Sequence, residues 1–147
     1  MANIVRNHLV ITGTEEEIKS FFAKTDWVFD LKRLIPIIEN TDDWKVKNWG
    51  CRDNVDSVEI INKNKNYVEY LFSTPWTPPQ IAIKTLSFEF PSLHFEGEFI
   101  SEDIIGSYYI RNGQEFDLFI QENYDKERIK KNRKIKRSSF LKESLGE

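Results

Sequence analysis

The chain has 147 residues, 21 lysines and arginines and 24 aspartates and glutamates, for a net charge of -3. Apolar residues make up 39%, with eleven Phe, five Tyr and four Trp, enough to bury one core and to exclude wholesale disorder. No run approaches the roughly 18 apolar residues of a membrane span. The opening MANIVRNHLV has no apolar segment behind a basic one, and a lone cysteine suits a reducing compartment, so the expectation is a cytoplasmic protein without a secretory signal. The net charge hides an asymmetry. Residues 1–125 carry 12 basic against 21 acidic side chains, a net -9, while residues 126–147 carry 9 against 3, a net +6.

In chain order, NHLVITG alternates, with Leu9 and Ile11 on one face, and predicts a strand ending at Gly13. TEEEIKSFFAKT predicts a helix. Thr14 and Glu17 have capping-box spacing, and Ile18, Phe21 and Phe22 form the apolar stripe. VFDLKRLIPI leads into a long polar connection through IENTDDWKVKNWG. SVEII and NYVEYLF, separated by NKNK, predict a hairpin with a longer loop. In STPWTPPQIAIKTLSFEFP, Thr77 is the expected N-cap, with Pro78 and Pro79 in the first turn and Gln80 completing a second capping box. Ala82, Ile83, Leu86 and Phe90 form that helix's stripe. LHFEGEFI predicts a strand. Asn112-Gly113 then marks a hairpin in which Phe116, Leu118 and Ile120 are expected to share a face.

The order strand, helix, strand, strand, helix, strand matches the split β-α-β arrangement. The expected architecture is α+β: a ferredoxin-like antiparallel sheet with two helices on one face, then an extra C-terminal hairpin and a basic tail. Residues 1–121 would form the domain and residues 122–147 a helical or mobile tail.

Four motifs carry a resemblance over roughly residues 3–121: NHLVITG, the NWG loop, FSTPWTPP and LSFEFPSLHFEGEF. In this order they are similar to the YubB-like family of phage and plasmid proteins, which implies a ferredoxin-like fold and a mobile-element origin. The chain departs from that pattern at Ile4 and Val5, where the family has a Trp-Cys pair, at Cys51 after the NWG loop, and at Pro75 before Trp76.

Chemistry is sparse. A nucleophilic Cys51 needs a base, and His8 and His94 are the only histidines, each within a predicted strand. Zinc needs clustered Cys and His, which are lacking. Asp42 with Asp43, or Asp53 with Asp56, lack the spacing of a calcium loop. There is no glycine-rich phosphate loop and no aromatic RNA-binding signature. No catalytic residue, metal or cofactor is assigned.

Two regions suggest binding. The NWG and TPWTPP loops flank the central hairpin and would emerge at one end of it, which makes Trp49, Arg52, Asp53 and Trp76 the candidate site. Tryptophans there either stack on a ligand or plug the end of the sheet with Nε1–H on a loop carbonyl. Arg52 would pair with Asp53 or serve an anionic ligand. The tail segment KERIKKNRKIKR has eight basic residues in twelve, and Lys130, Lys131, Arg133 and Lys134 are its candidate phosphate contacts. The expected function is that of a non-enzymatic accessory protein, binding a host protein or nucleic acid and interfering with a host defence system. The alternative is a small-ligand or nucleotide-binding module using the two loops.

Overall fold

The computed structural model describes residues 3–26, 28–132, 134 and 137–146, with the side chains of Asp117 and Leu118 outside that description. Strand β1 (Ile4–Thr12) buries Val5, Asn7, Leu9 and Ile11 along one face, the period-two pattern of a half-buried strand. Helix α1 (Glu15–Thr25) starts at Thr14, whose hydroxyl accepts from the Glu17 N–H at 3.2 Å, and carries three glutamates in its first turn. The reciprocal half of the expected capping box is replaced: the Glu17 carboxylate reaches the Ser92 N–H at 3.5 Å.

The predicted long connection contains two helices, α2 (Leu31–Leu34) and α3 (Asp42–Trp49). α3 has good ends and a poor stripe. Thr41 caps it by accepting from the Trp44 N–H at 3.1 Å, Asp42 and Asp43 sit in its first turn, and Gly50 ends it at φ 92°. Strands β2 (Asp56–Asn64) and β3 (Tyr67–Pro75) form the central hairpin. Only Lys65 and Asn66 separate them, so the turn is tighter than expected. Helix α4 (Gln80–Glu89) has Pro79 at its N-cap position with no side-chain cap, and β4 (His94–Ile100) follows. Strands β5 (Ile104–Arg111) and β6 (Gln114–Glu122) turn at Asn112 (φ 48°) and Gly113 (φ 76°), the left-handed pair a type I′ turn requires.

The sheet order is β2-β3-β1-β4-β5-β6, antiparallel throughout. Its first four strands, with helices after β1 and β3, have the ferredoxin-like arrangement. One core holds Leu9, Ile11, Phe95 and Phe99 of the sheet against Ile18 and Phe21 of α1 and Ile83 and Leu86 of α4, with Trp49 included. The opposite face has a smaller cluster. There, Ile100 and Ile105 meet Ile129 of α5 (Lys126–Lys131) and Leu141 of α6 (Ser139–Ser144). Helices α5 and α6 therefore fold onto the sheet face that α1 and α4 leave open.

The expected common face of β6 is broken. A register shift lies between Ser107 and Tyr109, so Phe116 pairs with Tyr109 and Ile120 with Gly106, whose positions face opposite sides of the sheet. The Phe116 ring lies 5.8 Å from the Tyr109 ring, while Ile120 lines a hollow with Ile81. The side chain of Leu118, the third member, lies outside the described residues.

Candidate functional site

The α3–β2 and β3–α4 loops meet at one end of the sheet, and hydrogen bonds build the meeting point from β1 outward. Asn7, 2% exposed, donates from Nδ2 to Thr74 Oγ1 at 3.0 Å. The Thr74 hydroxyl donates to the Thr77 carbonyl at 2.8 Å, and the Thr77 hydroxyl donates to the Gly50 carbonyl at 2.6 Å. The last bond ties the two loops together, and it explains why Thr77 does not cap α4. Trp76, between these anchors, is held at φ 67°, with its N–H on the Asn3 carbonyl at 2.7 Å. A non-glycine residue in that region is strained. Here the strain aims a tryptophan outward, with 41% of it exposed.

Of the four expected loop residues, the structure brings Arg52 and Trp76 together. The Arg52 guanidinium carbon lies 5.4 Å from the Trp76 ring centre, within cation–π range. Arg52 therefore covers an aromatic face instead of pairing with Asp53. The Asp53 carboxylate lies 3.8 Å from Lys45 Nζ and accepts from the Asn54 N–H at 2.8 Å.

Trp49 takes the second of the two expected roles and is corrected as a binding residue. It is fully buried, its Nε1–H donates to the Ile35 carbonyl at 3.0 Å, and its ring meets Trp44 edge-on at 5.8 Å. It plugs the core and presents no face to a ligand. The small-ligand reading thereby loses one of its aromatic platforms.

Cys51 is also buried, with its thiol donating to the Asp53 carbonyl at 3.2 Å. Burial pushes the thiol pKa up to about 12, which disfavours the nucleophilic thiolate. The histidines are engaged elsewhere. His8 bridges Glu69 and Glu98, and His94 bonds the Tyr109 hydroxyl. Among the described residues no group of three or more His, Cys, Asp and Glu side chains is arranged to hold a metal ion.

Two hollows open on either side of Trp76 along the chain. One, about 410 Å³, is lined by Ile4, Thr74 and Pro75 with Asp53 and Asp56. The other, about 240 Å³, is lined by Thr77, Pro78, Ile81, Phe99 and Ile120 with Glu122. Ile4, Ile81 and Ile120 are exposed, at 54%, 42% and 47%. These three residues were missed by the sequence reading. Ile4 and Ile81 carried a signal, since each falls out of phase with the buried positions of its own element. Ile120 carried none, because the β6 register shift sets its direction. A larger hollow of about 540 Å³ lies elsewhere, between α1 and the β2–β3 turn, on an apolar floor of Ile18, Phe22 and Ala23.

The tail candidates are on α5 and just beyond it. Lys130 is half-buried and pairs with Glu127 at 3.2 Å, while Lys131 and Lys134 are exposed. Arg133 lies outside the described residues. No helix among the described residues is long and apolar enough to cross a membrane.

Residues 57–138, more than half of the chain, match the family model described as the ferredoxin-like domain in Api92-like protein. A crystal structure of the protein Api92 from Yersinia pseudotuberculosis superposes with a TM-score of 0.52 at 17% identity, over 65% of this chain and 39% of that one. This likeness is one of fold, and the present chain spans well under half of that protein's length. No curated protein matches the chain.

Proposed function

The chain belongs to the Api92-like ferredoxin-like family, and from that premise we propose that it is a protein-recognition module rather than an enzyme. Its interface would be the sheet end around Trp76. One observation carries this reading: a tryptophan held in a strained backbone conformation and backed by Arg52, whose chain neighbours Pro75 and Thr77 line two hollows that hold the exposed Ile4, Ile81 and Ile120. Exposed apolar patches of this kind mark interaction surfaces, and Trp and Arg are the residues that most often dominate binding energy in them. The buried and protonated Cys51 thiol supports a role without nucleophilic chemistry.

The motif resemblance to the YubB-like family supports a phage or plasmid origin. In such a setting the partner would be a host protein, with interference in host defence as the biological outcome. The single, buried and unpaired cysteine suits the reducing cytoplasm.

The test is quantitative affinity capture from host lysate with the native chain and with Trp76→Ala in parallel. Loss of a defined set of proteins with Trp76→Ala, and their retention when exposed Lys19 on α1 is changed to Ala, is the expected result. Identical captures by native chain and Trp76→Ala would overturn the assignment of the interface.

A further inference from the structure

The sheet-end site also says what kind of protein segment it fits. Every ionisable side chain among those lining the two hollows beside Trp76 is acidic: Asp53 and Asp56 in one, Glu122 in the other. The rest of each lining is polar or apolar, with Ile4 and Pro75 in the first and Ile81, Phe99, Ile104 and Ile120 in the second. The one arginine in these loops, Arg52, lies on the Trp76 ring, and Lys45, only 13% exposed, lies against Asp53. Each hollow thus combines apolar side chains with carboxylates as its ionisable groups, on a body whose first 125 residues carry a net charge of -9.

We propose that the occupant of this surface is a basic amphipathic protein segment, whose apolar side chains fill the two hollows while its lysines or arginines face Asp53, Asp56 and Glu122. The inference rests on the protein-recognition reading and narrows it. Complementary charge speeds encounter and excludes like-charged partners. A nucleic acid, with one phosphate charge per nucleotide, meets the same carboxylates as repulsion. Asp53 already has Lys45 beside it, so an acidic or neutral segment would fill the hollows and leave Asp56 and Glu122 without an added cation.

The experiment is selection from a display library of random dodecapeptides against the full chain, followed by binding measurements with the selected peptides synthesised. Three variants report on the site: Trp76→Ala, Trp76→Gly, and the double change Asp53→Lys with Asp56→Lys. The selected peptides should combine Lys or Arg with large apolar residues. Their affinity should fall as salt rises, fall by about tenfold or more with the charge reversal, and vanish with either Trp76 variant. Circular dichroism and a denaturation midpoint taken on each variant separate lost binding from lost fold. Trp76→Gly, which suits the backbone conformation at that position, serves as the second test if Trp76→Ala is unstable.

Peptides that depend on Trp76 but are acidic or neutral, and are indifferent to the charge reversal, would overturn the basic partner while leaving the interface standing. Duplex DNA competing with the peptides for Trp76 would do the same. Peptides indifferent to both Trp76 variants, or a library that yields none, would overturn the interface itself.

Discussion

His8 Nε2 lies 2.5 Å from Glu69 Oε2, and on the other side of the same ring Nδ1 lies 3.0 Å from Glu98 Oε1. Both ring nitrogens thus face carboxylates, an arrangement that calls for the doubly protonated imidazolium. Burial by itself would lower the His8 pKa. The hydrogen bonds and charges of Glu98 and Glu69 outweigh it and raise the pKa above the usual 6.5. A raised folded-state pKa means that His8 contributes stability fully below 6.5 and loses it as pH rises through the folded-state value. Urea midpoints measured from roughly pH 6 to roughly pH 9 should therefore decline in native protein. His8→Gln should remove much of that slope. A slope unchanged in His8→Gln would show that His8 is not the group responsible.

Trp49, at the end of α3, and Trp76, in the β3–α4 loop, should respond oppositely to substitution. Trp49→Ala empties a fully buried site and orphans the Ile35 carbonyl, at an expected cost of about 3–5 kcal/mol. Trp76→Gly removes a half-exposed ring and relieves a strained φ of 67°. Relief of about 1–2 kcal/mol offsets the added chain entropy of glycine and the lost cation–π contact, so stability should stay within about 1 kcal/mol of native. Chemical denaturation of both variants checks this. A severe loss in Trp76→Gly would mean that the tryptophan is held for packing and not for display.

Why one tryptophan is buried and the other displayed was not legible in the sequence. Both sit beside Gly or Pro in polar surroundings, and periodicity alone does not separate them. Trp49 is buried because α3 exists, and α3 has almost no apolar stripe to read. Its signals are Thr41 as cap, two aspartates in the first turn and Gly50 at the end. The ferredoxin-like order was legible because β1, β3, β4, α1 and α4 each carry clear alternation or a clear stripe. The meeting of the NWG and TPWTPP loops followed from the hairpin between them. The Thr77–Gly50 bond that fixes it did not, since Thr77 reads more naturally as a helix cap. The β6 register shift and the packing of α5 and α6 across the sheet depend on long-range contacts that local pattern does not record.

Cys51 should be inert in the folded protein. With the thiol buried and its pKa pushed up to about 12, the thiolate population near neutral pH is negligible. An aromatic disulfide reagent should leave native protein unlabelled over the time in which it fully labels denatured protein. Rapid native labelling would contradict the burial on which the non-catalytic reading of this cysteine depends.

Gly97 is a packing requirement at the middle of β4. It lies opposite Leu9 on one side and Tyr108 on the other, and a Cβ there would overlap the Tyr108 ring. Tyr108 is itself buried, with few directions in which to yield. Gly97→Ala should therefore destabilise by about 1–3 kcal/mol. The companion change Tyr108→Leu should recover part of the loss if the clash is the cause. A neutral Gly97→Ala would show that the ring moves aside freely.

Phe140 is what α6 sets against the central strand. Its ring stacks on His8 at 5.3 Å between centroids, and the Arg6 guanidinium carbon lies 5.4 Å from its centre. Leu141 adds contact with Ile100 and Ile105 in the same cluster. A helix of six residues has little stability of its own, so α6 persists only while docked. Phe140→Ala should release it without unfolding the main core, which shares none of these side chains. Amide exchange in residues 139–144 should accelerate by about tenfold, equivalent to about 1.4 kcal/mol, while α1 and α4 keep their protection. Phe140→Tyr keeps the ring and should keep the slow exchange. Equal acceleration in α1 and α4 would mean that α6 unfolds only with the whole domain, and that the covered sheet face is as permanent as the core beneath the other one.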